Sequence, residues 1–176
     1  SCLEAKEKDP LLREWIARNR GNPLLKEWVV RNHGHGDLRA QAIASLSGYL
    51  PENQELASSL ALDPTEDPAV RASALKVLSK GLSDSLENFR RFVSVGFDAH
   101  LPEDLRVQAA QSSFGNGRDP AVLGLAKNSL EDLIANDPSR NVRDAARESA
   151  LEVWRAARRR LDPDAQEVAL VDKYMA

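Results

Sequence analysis

Asp67-Pro68-Ala69-Val70-Arg71-Ala72-Ser73-Ala74-Leu75 joins a helix-start signal to an apolar residue, an arginine and, one turn later, an alanine. The centre of that stretch is Leu or Val, then Arg, two variable residues and Ala. It occurs three more times, as Leu38-Arg39-x-x-Ala42, Leu105-Arg106-x-x-Ala109 and Val142-Arg143-x-x-Ala146. The four arginines stand 32, 35 and 37 residues apart. Such a period belongs to a helix pair used as a repeat unit and not to a catalytic motif. It points to an all-α chain built from stacked helix pairs.

Helical spacing runs outward from these segments. Val70, Ala74, Val77 and Leu78 fall on one stripe, and so do Val142, Ala146, Ala150 and Val153. The second ("B") helices are expected near 37–50, 67–80, 102–114 and 139–160. The first ("A") helices are expected near 23–32, 52–62, 84–96 and 120–136, with a short last helix near 164–174. Seven Asp-Pro or Asn-Pro pairs punctuate the chain, at 9, 22, 63, 67, 119, 137 and 162. Asp or Asn can accept the free amide hydrogens of a first turn, and Pro at the next position has no amide hydrogen to leave unpaired. Ala one turn after Leu or Val lets a neighbouring helix approach closely. The arginines beside the apolar column would lay their stems over the core and reach a carboxylate or helix-end carbonyls of the adjacent repeat. The alternative is that they face a groove and hold an acidic partner.

The 67–75 segment resembles the second helix of a HEAT-like repeat, of the subtype also seen in phycobilin lyases, and Asp104–Ala110 and Asn141–Ala146 are weaker copies. The resemblance covers roughly residues 23–160. It implies a right-handed α-solenoid of about four helix pairs and confers no activity by itself. The expected organisation is a single domain over 1–176: a doublet at 9–32, repeats at 23–160 and a C-terminal cap at 161–176.

The doublet is a tighter duplication. Asp9-Pro-Leu-Leu-Arg-Glu-Trp-Ile-Ala-Arg-Asn19 recurs 13 residues later as Asn22-Pro-Leu-Leu-Lys-Glu-Trp-Val-Val-Arg-Asn32. Each copy reads as a short helix, with Gly21 releasing the turn between them. Leu11, Leu12, Trp15 and Ile16 form one amphipathic face; Leu24, Leu25, Trp28 and Val29 form the other. A solenoid end needs a cover, and the two tryptophans would bury much area there. Otherwise they form a docking surface, or the segment continues a larger array.

Composition narrows the function classes. Aromatics are scarce at 5% and the formal charge is −3, which argues against a generic nucleic-acid binder. No apolar run approaches the roughly 20 residues that cross a bilayer. With one cysteine, Cys2, no internal disulfide forms. Ser1-Cys2 resembles a bacterial lipoprotein cleavage point, which would place a lipid anchor at Cys2; a cytoplasmic location is favoured over that envelope reading. His33-Gly34-His35-Gly36-Asp37 would offer one side of a zinc or nickel site, with His100 the only other histidine. The glycines equally serve as a helix stop and Asp37 as a cap. No nucleophile elbow or phosphate loop is present, so neither enzyme activity nor a cofactor is expected.

The expected function is protein–protein interaction, with a partner on the concave surface of the B helices. Gln41, Ser45, Ser73, Lys76, Gln108, Gln111, Arg147 and Glu148 would face it, with Trp15 and Trp28 at the doublet. The alternatives are a nucleic-acid binder or HEAT-like DNA-repair enzyme, or an accessory module of a larger enzyme. The DNA reading would use Arg140, Arg143, Arg147, Arg155 and Arg158–Arg160. The neighbouring Glu148 and Glu152 favour a solvated, self-paired face.

Overall fold

Three of the Asp/Asn-Pro pairs start helices in the way their chemistry dictates. Asn22 accepts the Leu24 amide (3.0 Å), Asp67 the Ala69 amide (2.8 Å) and Asp119 the Ala121 amide (2.8 Å). The computed structural model describes residues 2–32, 34, 36–82, 85–114 and 119–160, with side chains from 10 to 157 within those ranges. Among the described residues there are nine helices and no strand. They are α1 (Cys2–Arg18), α2 (Pro23–Arg31), α3 (Gly36–Ala44), α4 (Pro51–Leu62), α5 (Pro68–Lys80), α6 (Leu86–Gly96), α7 (Glu103–Ala110), α8 (Pro120–Asn136) and α9 (Arg140–Arg160). The expected helix near 164–174 and Asp162-Pro163 lie outside the described residues.

Other breakers act differently from their sequence reading. Asp9-Pro10 does not start a helix, because α1 runs through it from Cys2. An internal proline removes one backbone bond and crowds one carbonyl, at about 3 kcal/mol. Here the turns after it are held by the burial of Ile16 (1% exposed). Asp63 and Asp137 end α4 and α8 instead of starting helices, each turning its carboxylate onto the amide two residues ahead.

Two B helices are shorter than their apolar pattern suggests. After α3, the Ala44 and Leu46 carbonyls take the Lys80 ammonium (2.5 and 3.1 Å). The Ser47 and Gly48 carbonyls take the side-chain amides of Asn53 (2.9 Å) and Gln54 (2.6 Å). Those donors satisfy the chain outside the helix, so it leaves the helix early. After α7, Ser149 Oγ caps the Ala110 carbonyl. Phe114 turns back onto Phe89, Phe92 and Phe97, with ring centroids 5.8–6.0 Å apart. Tertiary aromatic packing thus outweighs the continuation of α7.

The chain divides into two compact units, Ser1–Lys80 and Gly81–Ala176. In the first, α2 packs on α3, α4 on α5 and α3 on α5, with α1 also against α3. In the second, α6 packs on α7, α8 on α9, α7 on α9 and α6 on α8. Each unit therefore holds two helix pairs, neighbouring pairs meeting through their second helices. Leu38, Val70, Leu105 and Val142, with Ala42, Ala74, Ala109 and Ala146, are buried to 3% exposure or less.

Beside this column the arginines reach backward along the chain. Arg39 Nε donates to the Val29 carbonyl (2.8 Å) and Arg71 Nε to the Ala61 carbonyl (2.9 Å), each ten residues upstream at the end of the preceding helix. Arg106 donates to the Leu101 carbonyl (2.5 Å), and Arg143 to those of Asp137 (2.7 Å) and Pro138 (2.9 Å). Two of them also reach forward. Arg39 pairs with Glu66 (2.6 Å), and Arg106 grips Asp137 through two nitrogens (3.0 and 3.2 Å). In both, the carboxylate lies on the loop inside the next helix pair.

These contacts differ in cost of removal. Arg106→Ala leaves Asp137 buried without its cation, and chemical denaturation is expected to show a loss of about 3–5 kcal/mol. Arg143→Ala, at a half-exposed site with only carbonyl acceptors, is expected to lose about 1 kcal/mol. In the second unit, a Cβ on Gly96 would stand 2.8 Å from the Ala109 Cβ. Gly96→Ala is therefore expected to destabilise, although Ala favours a helix over Gly by about 1 kcal/mol. Adding Ala109→Gly should restore part of the loss, so a double-mutant cycle read by thermal melts should give a favourable coupling.

Candidate docking surface

The doublet's amphipathic faces divide in two. Leu12 and Ile16 on α1, and Leu25 and Val29 on α2, turn inward, with Ile16, Leu25 and Val29 at 1% exposure or less. The adjacent stripe turns outward: Leu11 is 69% and Leu24 56% exposed. One helical turn after each leucine stands a tryptophan. Trp15 and Trp28 are half-buried, and their rings touch at 6.5 Å between centroids with planes inclined by 53°. The cover over the first pair is thus supplied by aliphatic side chains, and the tryptophans sit at its edge.

Local bonds fix this arrangement. Gly21 takes φ +78°, the left-handed turn that the sequence assigned to it. Asn19 and Asn32, equivalent in the two copies, donate their side-chain amides to the Trp15 and Trp28 carbonyls (both 2.8 Å). The backbone under each tryptophan is therefore anchored at the helix end. Arg18 pairs with Glu14 and Arg31 with Glu27, each one turn apart and exposed. The duplicated outward stripe reads Leu11, Trp15, Arg18 and Leu24, Trp28, Arg31.

The B-helix residues are placed less uniformly. In the first unit Gln41 and Lys76 are exposed, while Ser45 is half-buried and its hydroxyl donates to the Gln41 carbonyl (2.9 Å). Ser73 is buried at 8% exposure and must be withdrawn from the surface set, because it shares the inward face of α5 with Val70, Ala74 and Val77. In the second unit Gln111, Arg147 and Glu148 are exposed and Gln108 is half-buried.

Three of the seven arginines on α9 are occupied. Arg140 and Arg147 both pair with Asp144, and Arg143 serves the Asp137 and Pro138 carbonyls. Arg155 is exposed; the side chains of Arg158–Arg160 lie outside the description, as do His33 and His35. Among the described residues no three potential metal ligands converge. His100 lies against Asp98 (2.9 Å), whose carboxyl is held below the usual carboxylate range mainly by the His100 backbone amide.

A cleft of about 530 Å³ lies over the acidic loop of the first unit, and each of its carboxylates is already employed. Asp63 accepts from the Thr65 hydroxyl and amide, which lower its pKa; Glu66 holds Arg39; Asp67 caps α5. Burial pushes the Lys80 ammonium pKa down, and the nearby Arg20 charge adds to that. No family model, curated protein or solved structure matches this chain.

Removing exposed apolar atoms should leave the fold unaffected. Leu11→Ser and Leu24→Ser are each expected to change stability by less than about 0.5 kcal/mol. Leu25→Ala, one position away but fully buried, should cost about 2–5 kcal/mol. Urea titrations followed by circular dichroism separate the two classes.

Proposed function

We propose that this chain is a HEAT-like protein-interaction module whose helix pairs stack as a right-handed α-solenoid and whose doublet docks another protein. The stacking within each unit and the recurring buried arginines support the repeat reading. The observation that carries the docking reading is the outward stripe of Leu11, Trp15, Leu24 and Trp28. Two large leucines stand exposed beside two partly covered tryptophans, while Ile16, Leu25 and Val29 on the same helices are buried to 1% exposure or less. Exposed apolar clusters with a polar rim mark interaction sites, and tryptophan anchors dominate binding energy at such sites.

The surface of the B helices offers Gln41 and Lys76 in the first unit and Gln111, Arg147 and Glu148 in the second. It is polar and supplies no exposed apolar anchor among those residues. Of the seven α9 arginines that the nucleic-acid reading would use, Arg140 and Arg147 pair with Asp144 and Arg143 bonds carbonyls. The doublet is therefore the favoured surface.

Selection of binders from a randomised peptide library against the full chain tests this. Binding is expected to weaken by at least about tenfold in the Leu11→Ser/Leu24→Ser variant, the loss of about 1.4 kcal/mol or more that two anchors imply. It should persist in Gln41→Ala/Lys76→Ala. The opposite pattern moves the site to the B helices, and an empty selection removes the docking reading.

A further inference from the structure

We infer that the doublet takes an acidic amphipathic segment of a protein partner, one that sets apolar side chains against the leucine and tryptophan rungs and carboxylates against Arg18 and Arg31. The inference rests on the docking reading above and adds the chemistry of the occupant.

The charge of the surface departs from that of the chain. Residues 9–32 carry five cations (Arg13, Arg18, Arg20, Lys26, Arg31) against three carboxylates (Asp9, Glu14, Glu27), whereas the whole chain carries −3. The cations nearest the apolar rungs are duplicated with them. Trp15 precedes Arg18, and Trp28 precedes Arg31, by three residues, so each arginine continues the stripe its tryptophan begins. Both guanidiniums are open to solvent, with side chains 76% and 74% exposed. Their resting partners are single glutamates one turn back. An exposed pair of that kind is worth about 0.2–1 kcal/mol and exchanges readily for an incoming carboxylate.

Behind this edge, Arg20 lies close enough to Lys80 to disfavour its charge, and Lys80 is already turned to the Ala44 and Leu46 carbonyls. Like charges held near one another raise the local potential, which favours an acidic segment. Apolar anchors at helical spacing with charge beside them are the pattern of a helix laid into a groove.

A nucleic-acid strand fits less well. Each of Trp15 and Trp28 covers part of the other, and the exposed residues beside them are branched aliphatics that give bases no flat face to stack on. Glu14 and Glu27 stand one beside each arginine, where an evenly charged backbone would have to pass them. A peptide can space its carboxylates to avoid them.

The test uses the full chain and two peptide libraries with equal Leu, Phe and Trp content. In one the remaining positions are Asp and Glu; in the other they are Lys and Arg. Binders are expected from the acidic library. Their affinity should fall by at least about tenfold in Arg18→Glu/Arg31→Glu and weaken with added salt. Both substitutions are at exposed positions, and a thermal melt equal to wild type certifies the fold. Equal binding from both libraries, lost in Leu11→Ser/Leu24→Ser, overturns the acidic partner while leaving the docking surface. Binders unaffected by either pair of substitutions overturn both. Single-stranded DNA that displaces the acidic peptides and loses affinity in Arg18→Glu/Arg31→Glu makes the occupant a nucleic acid and overturns the inference.

Discussion

Three of the four described helix pairs close around an arginine that is taken out of water and must be satisfied where it lands. Arg39, Arg71 and Arg106 are at most 8% exposed. A guanidinium cannot shed its proton to escape that burial, so five donors need acceptors. Arg39 and Arg71 take a carbonyl in the last turn of the preceding helix, so one guanidinium answers two deficits, its own and that of the helix end. Arg106 takes the Leu101 carbonyl in the loop before α7. A lysine would place a point charge there without the planar fork that lets Arg106 hold Asp137 with two nitrogens and the Leu101 carbonyl with a third.

Much of this was legible because it repeats. The columns at Leu38, Val70, Leu105 and Val142 state their burial by their period, and the arginine beside each could be read as a tie. Where helices end was less legible. The apolar spacing of 37–50 continues beyond Ala44, but the helix stops because Lys80, Asn53 and Gln54 bind the carbonyls there, and Lys80 is remote in sequence. Phe114 carries no local mark of its packing against three other phenylalanines. Asp-Pro was read too uniformly: the same dipeptide caps α5, closes α4 and lies inside α1, according to what packs on either side.

The candidate surface was half legible. The duplication singled out Trp15 and Trp28 and marked the face as amphipathic. It could not say which half of the face turns inward, since Leu11 and Leu12 are chemically the same. A signal was present nonetheless. Leu12-Arg13-x-x-Ile16 and Leu25-Lys26-x-x-Val29 match Leu38-Arg39-x-x-Ala42 in a continuing step of 13 residues. Reading the doublet as early copies of the arginine pattern places Leu12, Ile16, Leu25 and Val29 inward and leaves Leu11, Trp15, Leu24 and Trp28 outside. Ser73 fails for a related reason: a polar residue at a B-helix position was taken as surface, although its neighbours on the stripe are all apolar.

The forward reach of two arginines has a consequence in time. Arg39 precedes Glu66 by 27 residues and Arg106 precedes Asp137 by 31. A ribosome adding about 5–20 residues per second makes each arginine seconds before its carboxylate. During that interval the first pair of a unit can form its backbone bonds but must keep its guanidinium hydrated, and so cannot close. Closure waits for the loop of the following pair, so the two pairs of a unit commit to the native state together during synthesis.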